Sequence, residues 1–263
     1  MATEPNTGAA RFLPDDRELG SLRTAAADCR GCDLYRDAIQ TVFGEGPSKA
    51  RFMLVGEQPG DQEDRRGEPF VGPAGRVLDR ALEEAGIDRD EVYVTNAVKH
   101  FSFTMKGKRR IHQKPTNAEI DACRPWVEAE LAVIRPEVVV IMGATAARSL
   151  LGKDFRVTKQ RGQAVPLGEA VAVATIHPSA VLRAPDREEA YAGLLADLKA
   201  AAGISGKTNR KAVAGTSDKT NRKAAAGTSG KTNRKAAAGV SGKPDLTAAA
   251  GTSGTKARSA RSR

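Results

Sequence analysis

Four short apolar runs stand out along the chain: Arg51-Phe52-Met53-Leu54-Val55, Val92-Tyr93-Val94-Thr95, Val138-Val139-Val140-Ile141-Met142 and Val171-Ala172-Val173-Ala174-Thr175-Ile176. Each is short, apolar and rich in β-branched residues, the pattern of a strand buried on both faces. Between them the apolar positions fall at helical spacing. Val77, Leu78, Ala81, Leu82 and Ala85 predict a helix over 74–85 that stops at Gly86. Further helices are predicted over 117–134, with Pro125 as a break or kink, from Gly143 to Leu151, and over 186–201. Strands alternating with helices predict an α/β fold, a three-layer α/β/α sandwich around a central four-stranded, mainly parallel sheet, over residues 11–203. Ligands of such sheets bind beyond the carboxyl ends of the strands. The segments there are Gly56-Glu57-Gln58-Pro59-Gly60, Asn96, Gly143 and His177-Pro178-Ser179, so these are expected to meet in space.

Composition adds three constraints. No apolar run is long enough to span a bilayer, and the polar segment 1–10 lacks a signal peptide's apolar stretch, so a cytoplasmic protein with a flexible N-terminus is expected. Three cysteines, Cys29, Cys32 and Cys123, are an odd number, which argues for metal or cluster ligation over a disulfide framework. The net charge of +10 is unevenly placed: from Ile204 onward there are 14 Lys/Arg and two acids, which leaves 28 basic and 30 acidic residues elsewhere. That tail repeats Ser-Gly-Lys-Thr-Asn-Arg-Lys-Ala, nearly intact, with a period of 12 from Ser205, Ser217 (where Asp218 replaces the Gly) and Ser229, with a degenerate copy at Ser241. It lacks aromatics and nearly all large aliphatics, so residues 204–263 are expected to be disordered. The tail either contacts DNA phosphates non-specifically or only solubilises the chain.

The motifs at the strand ends have a recognisable order. Gly56-Glu57-Gln58-Pro59-Gly60 precedes Gly67-Glu68-Pro69-Phe70-Val71-Gly72-Pro73-Ala74-Gly75, then Thr95-Asn96, Lys99-His100 and His177-Pro178-Ser179. This order resembles the uracil-DNA glycosylase superfamily, in particular its iron–sulfur members, families 4 and 5, over nearly all of Cys29 to Lys199. The resemblance implies an enzyme that flips a nucleotide out of the stack and cleaves the bond to its base. It implies that Phe70 stacks on uracil, that Asn96 reads the base edge with its amide, and that His177 donates to uracil O2 as negative charge grows there. Backbone N–H groups around Gln58 complete the pocket in this reading, and Arg183 lies in the loop that pushes into DNA. Taken singly, Phe70 reads as a core aromatic, Asn96 as a turn residue and His177 as a loop histidine.

The resemblance also implies a cluster. Cys29-Arg30-Gly31-Cys32 matches the N-terminal ligand pair and Cys123 the last ligand. Where the families carry a third cysteine after a lysine, this chain has Lys99-His100. Three cysteines and His100 fill four positions of a structural 4Fe–4S cluster, or of a zinc site, which the same donors suit.

Between His100 and Cys123 lies a basic insertion, Lys106 to Pro115. Its Lys108-Arg109-Arg110-Ile111-His112 is identical to the motif marking family X, the UdgX type. That resemblance implies that His112 attacks the sugar C1′ in place of water and leaves the protein bonded to abasic DNA. Glu57 then orients the imidazole, accepts its proton or stabilises the cationic sugar. Gln58 helps hold the loop, Arg110 pins it, and Asp61 is a second acid or a residual water activator. Gly143-Ala144-Thr145-Ala146 reads either as a phosphate grip or as tight packing. The sequence shows no Ser/His/Asp triad and no nucleotide-phosphate loop. Three functions remain open: a self-trapping uracil-DNA glycosylase, a hydrolytic one with turnover, and a non-catalytic iron–sulfur DNA-binding protein. The expected partner is uracil-containing DNA, single-stranded by analogy with the family, bound by a monomer.

Overall fold

Alternation of side chains along the strands builds the sheet. The structure, a computed structural model, describes residues 8–224, with side chains as far as residue 205. Strands β1 (Phe52–Gly56), β2 (Val92–Asn96), β5 (Val138–Met142) and β7 (Ala170–Thr175) run parallel in the order β2-β1-β5-β7. Phe52, Leu54, Val94, Val140 and Val173 point to one face and pack on Leu78, Leu82, Leu194 and Leu198. Met53, Val55, Val139, Ile141 and Ala172 point to the other and pack on Val127, Ile134 and Ala146. Period 2 sends successive residues to opposite faces, so each strand is apolar throughout.

The helices over these faces are α3 (Pro73–Ala85), α7 (Pro178–Arg183) and α8 (Arg187–Ala224) on one side, with α4 (Asn117–Ile134) and α5 (Ala144–Leu151) on the other. α3 starts on Pro73 and ends on Gly86 at φ +71°, a left-handed stop that glycine takes without strain. α4 opens with a capping box, Thr116 Oγ1 accepting from Glu119 N while Glu119 accepts from Thr116 N, and it runs on through Pro125. Short helices α1 (Leu19–Ala27), α2 (Asp61–Arg66) and α6 (Val157–Gln160) complete the set among the described residues.

Four departures from the sequence reading have physical causes. The sheet has a fifth strand, β6 (Ala164–Leu167), antiparallel to β7 at the edge, where Pro166 costs no needed ladder bond. The basic insertion is a hairpin, β3 (Phe103–Lys106) and β4 (Arg109–His112), and its two-residue turn has Gly107 first at φ +61°, as a type II′ turn requires. At the N-terminus, Gly8 and Ala9 are fixed rather than flexible. Ala9 is buried, and a Cβ at Gly31 would lie 2.6 Å from its nitrogen, so the glycine between two cysteines lets this turn pack. Finally, α8 continues past Ala201 to Ala224, so the first repeat is helical backbone, consistent with its many Ala, Lys and Arg. Ser205 is buried, accepting from Arg51 and donating to Glu137. Residues 1–7 and 225–263, where the rest of the expected flexible N-terminus and most of the repeat tail fall, lie outside the described residues. The chain divides into units Met1–Asp218 and Lys219–Arg263, and the site belongs to the first. No helix among the described residues is long and apolar enough to cross a membrane.

Candidate active site

The carboxyl ends of the strands surround a cavity of about 440 Å³. Glu57 and Gln58 follow β1, Asn96 ends β2, and His177 with Ser179 follows β7. Phe70 closes one side, His112 and Ile111 on β4 another, and Arg183 at the end of α7 stands at the rim. Gly143, after β5, lies behind His177, where a Cβ would be 3.2 Å from the His177 Cβ.

Phe70 sits at φ +60°, a left-handed backbone unusual for an aromatic residue, which turns its ring across the cavity at 6.0 Å from the His177 ring. Two glycines permit this. A Cβ at Gly75 would overlap the Phe70 carbonyl oxygen, and one at Gly56 would lie 2.6 Å from the Phe70 ring and overlap Asn96 Oδ1. Glu63 fixes the two glycine loops, accepting from Gly72 N at 2.8 Å and Gly60 N at 3.1 Å. Asn96 Oδ1 is buried with no hydrogen-bond partner. An orphaned acceptor on a cavity wall is stabilised by a ligand donor such as an imide N–H. Its backbone is held from below, since the buried Lys99 Nζ donates to Asn96 O at 2.9 Å, Thr95 Oγ1 at 2.6 Å and Glu130 at 2.6 Å.

His177 caps α7. Ser179 N donates to its Nδ1 at 3.2 Å, which assigns the ring proton to Nε2. Burial pushes its pKa down to about 4, with the nearby Arg183 charge acting in the same direction. The imidazole is therefore a neutral Nε2–H donor at pH 7.

His112 stands opposite. Its Nε2 lies 2.9 Å from Gln58 Nε2 and 3.5 Å from Glu57 Oε1. Gln58 is oriented by backbone: its Oε1 accepts from Ser102 N at 3.0 Å, and its Nε2 donates to Gln113 O at 2.8 Å. Ser102 O, a longer contact at 3.2 Å, already takes Gln113 N at 2.9 Å. An amide nitrogen only donates, so in its 2.9 Å contact with Gln58 Nε2 the His112 Nε2 is the acceptor. Burial lowers the His112 pKa, opposed by Glu57 and assisted by Arg183. Glu57 is itself oriented by Thr145 Oγ1, which donates to its Oε2 at 2.7 Å. Of the two readings of the Gly143–Ala146 turn, the structure gives an internal contact to Thr145.

The structure does not bring every expected residue to the cavity. Arg110 and Asp61 are not among the residues that line it. Arg110 Nε donates to Asp61 Oδ1 at 2.6 Å, its Nη1 to the fully buried Asp64, and its guanidinium packs 5.3 and 5.1 Å from the rings of Phe101 and Phe103. Asp61 is held below the usual carboxylate range by its hydrogen bonds to Arg65 and Arg110, and in this structure it anchors the Arg110 guanidinium. Arg110 and His112 are two residues apart on one strand and share a face, so anchoring the first aims the second. Asp64 and the role of the Thr145 hydroxyl escape the sequence because their partners, Arg110 and Glu57, are distant along the chain. The Gly107-Lys108 turn between Phe103 and His112 was an available signal for the hairpin.

The cysteines gather beside α4. Burial pushes the Cys32 thiol up to about 11, with Cys29 raising it further, and Cys123 up to about 12, with Cys32 and Cys29 raising it further. Trp126 Nε1 donates to Cys29 Sγ at 3.2 Å, and Lys99 N to Cys123 Sγ at 3.3 Å. Among the described residues no three His, Cys, Asp or Glu side chains converge on one point. His100 is buried and neutral, its pKa pushed to about 4 by burial. Thr41 Oγ1 donates its proton to Ala26 O at 2.8 Å, so at 2.9 Å from His100 Nε2 it acts as acceptor. That assigns the ring proton to Nε2 and leaves the Nδ1 lone pair for a metal, the pattern of a ligating histidine. Cys29 N donates to the same Ala26 carbonyl. The donor set fits an iron–sulfur group, whose irons each take one ligand, better than a zinc ion, which needs four donors at one centre.

Comparison with known proteins gives consistent relatives. Residues 43–199 match the model of the uracil DNA glycosylase superfamily. The chain is 39% identical over 157 residues to a type-4 uracil-DNA glycosylase of Thermotoga maritima, covering 59% of this chain and 78% of that one. It is 35% identical over 187 residues to a type-4 uracil-DNA glycosylase of Archaeoglobus fulgidus, covering 68% and 89%. A type-5 uracil-DNA glycosylase of Thermus thermophilus is 35% identical over 118 residues, covering 42% and 53%.

Proposed function

The chain belongs to the uracil DNA glycosylase superfamily, and from that premise we propose that it excises uracil from DNA and then bonds to the abasic sugar through His112. The observation that carries the second half is the position of His112 Nε2, 2.9 Å from Gln58 Nε2 and 3.5 Å from Glu57 Oε1, on the wall of the cavity that Asn96 and His177 complete.

Uracil enters against Phe70, its N3–H donating to the orphaned Asn96 Oδ1 and its O4 accepting from the same amide's N–H. The bond between C1′ and uracil N1 breaks, and its electron pair leaves with the base. His177 donates its Nε2–H to O2, where that charge grows. The sugar becomes oxocarbenium-like, and the Glu57 carboxylate stabilises it. Gln58 yields the Nε2 lone pair of His112, which forms the new bond to C1′. The resulting imidazolium loses its Nδ1 proton to solvent, and the uracil anion gains one. Cys29, Cys32, Cys123 and His100 would hold a 4Fe–4S cluster, which would tie the N-terminal turn to α4 and would supply structure alone. The expected substrate is single-stranded DNA, on the family analogy.

One gel distinguishes the readings. Protein is mixed with uracil-containing single-stranded DNA, then boiled in detergent. A shifted band is expected, and His112→Ala should remove it; a band that persists in that variant sinks the assignment. Cleavable abasic product without any band would mean hydrolysis with turnover, and neither would mean a binding protein. A brown preparation with broad visible absorbance is expected for the cluster, whereas a colourless one with stoichiometric zinc would refute it.

A further inference from the structure

A second groove, of about 520 Å³, lies back to back with the catalytic cavity between α3, α7 and α8. The two share walls. At the start of α3, Ala74 lines the cavity while Pro73 and Val77 line the groove; on α7, Arg183 lines the cavity while Val181 and Leu182 line the groove. Three arginines, Arg76, Arg80 and Arg187, border this apolar floor, against one acid, Glu188. Arg80 is engaged, donating to Glu84 at 2.8 Å and lying 4.5 Å over the Tyr191 ring. The exposed side chains of Arg76 and Arg187 have no hydrogen-bond or ion-pair partner among the described residues.

Residues before the tail are close to neutral overall, so affinity for a polyanion must come from local clusters. On the hairpin side of the cavity, Lys106, Lys108 and Arg109 are exposed. At the second groove, the unpaired guanidinium groups are those of Arg76 and Arg187, and Arg183, between groove and cavity, is likewise exposed and unpaired among the described residues. An apolar floor edged by unpaired arginines matches a single strand, which offers phosphates to the edge and bases to the floor.

We propose that this groove carries the DNA strand on one side of the flipped nucleotide, with Arg76 and Arg187 holding its phosphates, while the hairpin takes the other side. The proposal rests on the glycosylase reading for what fills the cavity, but its test is separable. Binding is measured by anisotropy with single-stranded oligonucleotides whose uracil nucleotide carries a 2′-fluorine, which destabilises the cationic sugar and blocks cleavage. Flanks are lengthened by four nucleotides on one side at a time. The wild type should gain affinity from both extensions. The Arg76→Gln/Arg187→Gln variant should lose the gain from one side only, roughly five-fold. Its plot of log affinity against log salt should be shallower by about 1.4, the value for two single-strand phosphate contacts. Equal gains from both sides in the variant, or an unchanged salt slope, would overturn the proposal. Weaker binding of the unextended oligonucleotide would also overturn it, because the arginines would then serve the flipped nucleotide itself. Uracil release from the same oligonucleotide without fluorine is scored apart. If the wild type releases none, the glycosylase reading fails while the anisotropy still decides the groove.

Discussion

His112 can act as a nucleophile only while its Nε2 lone pair is unprotonated. Burial lowers its pKa below the ordinary histidine value, which keeps the neutral form through physiological pH. The yield of boiling-stable adduct is therefore expected to stay flat from pH 8 to about pH 6.5 and to fall on further acidification. A yield that rises as pH falls through this range would point to another attacking group. His177 carries a stability cost of the same origin. Its folded pKa of about 4 lies below the unfolded value, so between roughly pH 6.5 and pH 4 the unfolded chain binds a proton that the folded chain does not. Stability then rises with pH across that window, and acidification should cost on the order of 3 kcal/mol from this group. Urea midpoints at pH 7 and pH 4.5 check it: the loss should be smaller in His177→Asn than in the wild type.

At the scale of elements, the proposed trapping depends on the hairpin that carries His112. Its stem is clamped by Gln58, and its inner face by Arg110 between Asp61, Asp64 and two phenylalanine rings. Arg110→Lys keeps the charge but loses the bidentate fork and the stacking. It should cut adduct formation about tenfold while changing uracil release much less, because a small misplacement of the nucleophile is costly. Gel band and released base, quantified in the same reaction, separate the two. The cysteine cluster makes a parallel case. Thr41→Val removes the acceptor that holds the His100 proton on Nε2 and should reduce the visible absorbance and iron content of purified protein. Absorbance and iron equal to wild type would mean that Thr41 does not set the ligand.

For the whole molecule, the repeat tail is expected to supply non-specific affinity and no chemistry. A deletion made after Gly203 would remove the buried Ser205, which bonds Arg51 and Glu137, so the informative truncation ends at residue 224. That truncated chain should excise uracil at the full rate and bind uracil-free DNA more weakly at low salt. Unchanged affinity would leave the tail as a solubilising segment.

Much of this architecture is written locally. The apolar runs at Phe52, Val92, Val138 and Val171 specify strands, and the helical spacing between them specifies a parallel sheet, because burial on both faces leaves no other arrangement. It follows that Glu57, Asn96 and His177 gather at one edge. The edge strand β6 was hidden because it is short and carries Pro166, and the hairpin because its exposed strands lack a continuous apolar face. What the chain alone could not settle is which hydrogen bond each polar group makes. Asp64 meets Arg110 across 46 residues, Thr145 meets Glu57 across 88, and Thr41 meets His100 across 59. Whether a buried donor is satisfied depends on every neighbour within 3 Å of it, and those neighbours are assigned only when the chain has folded.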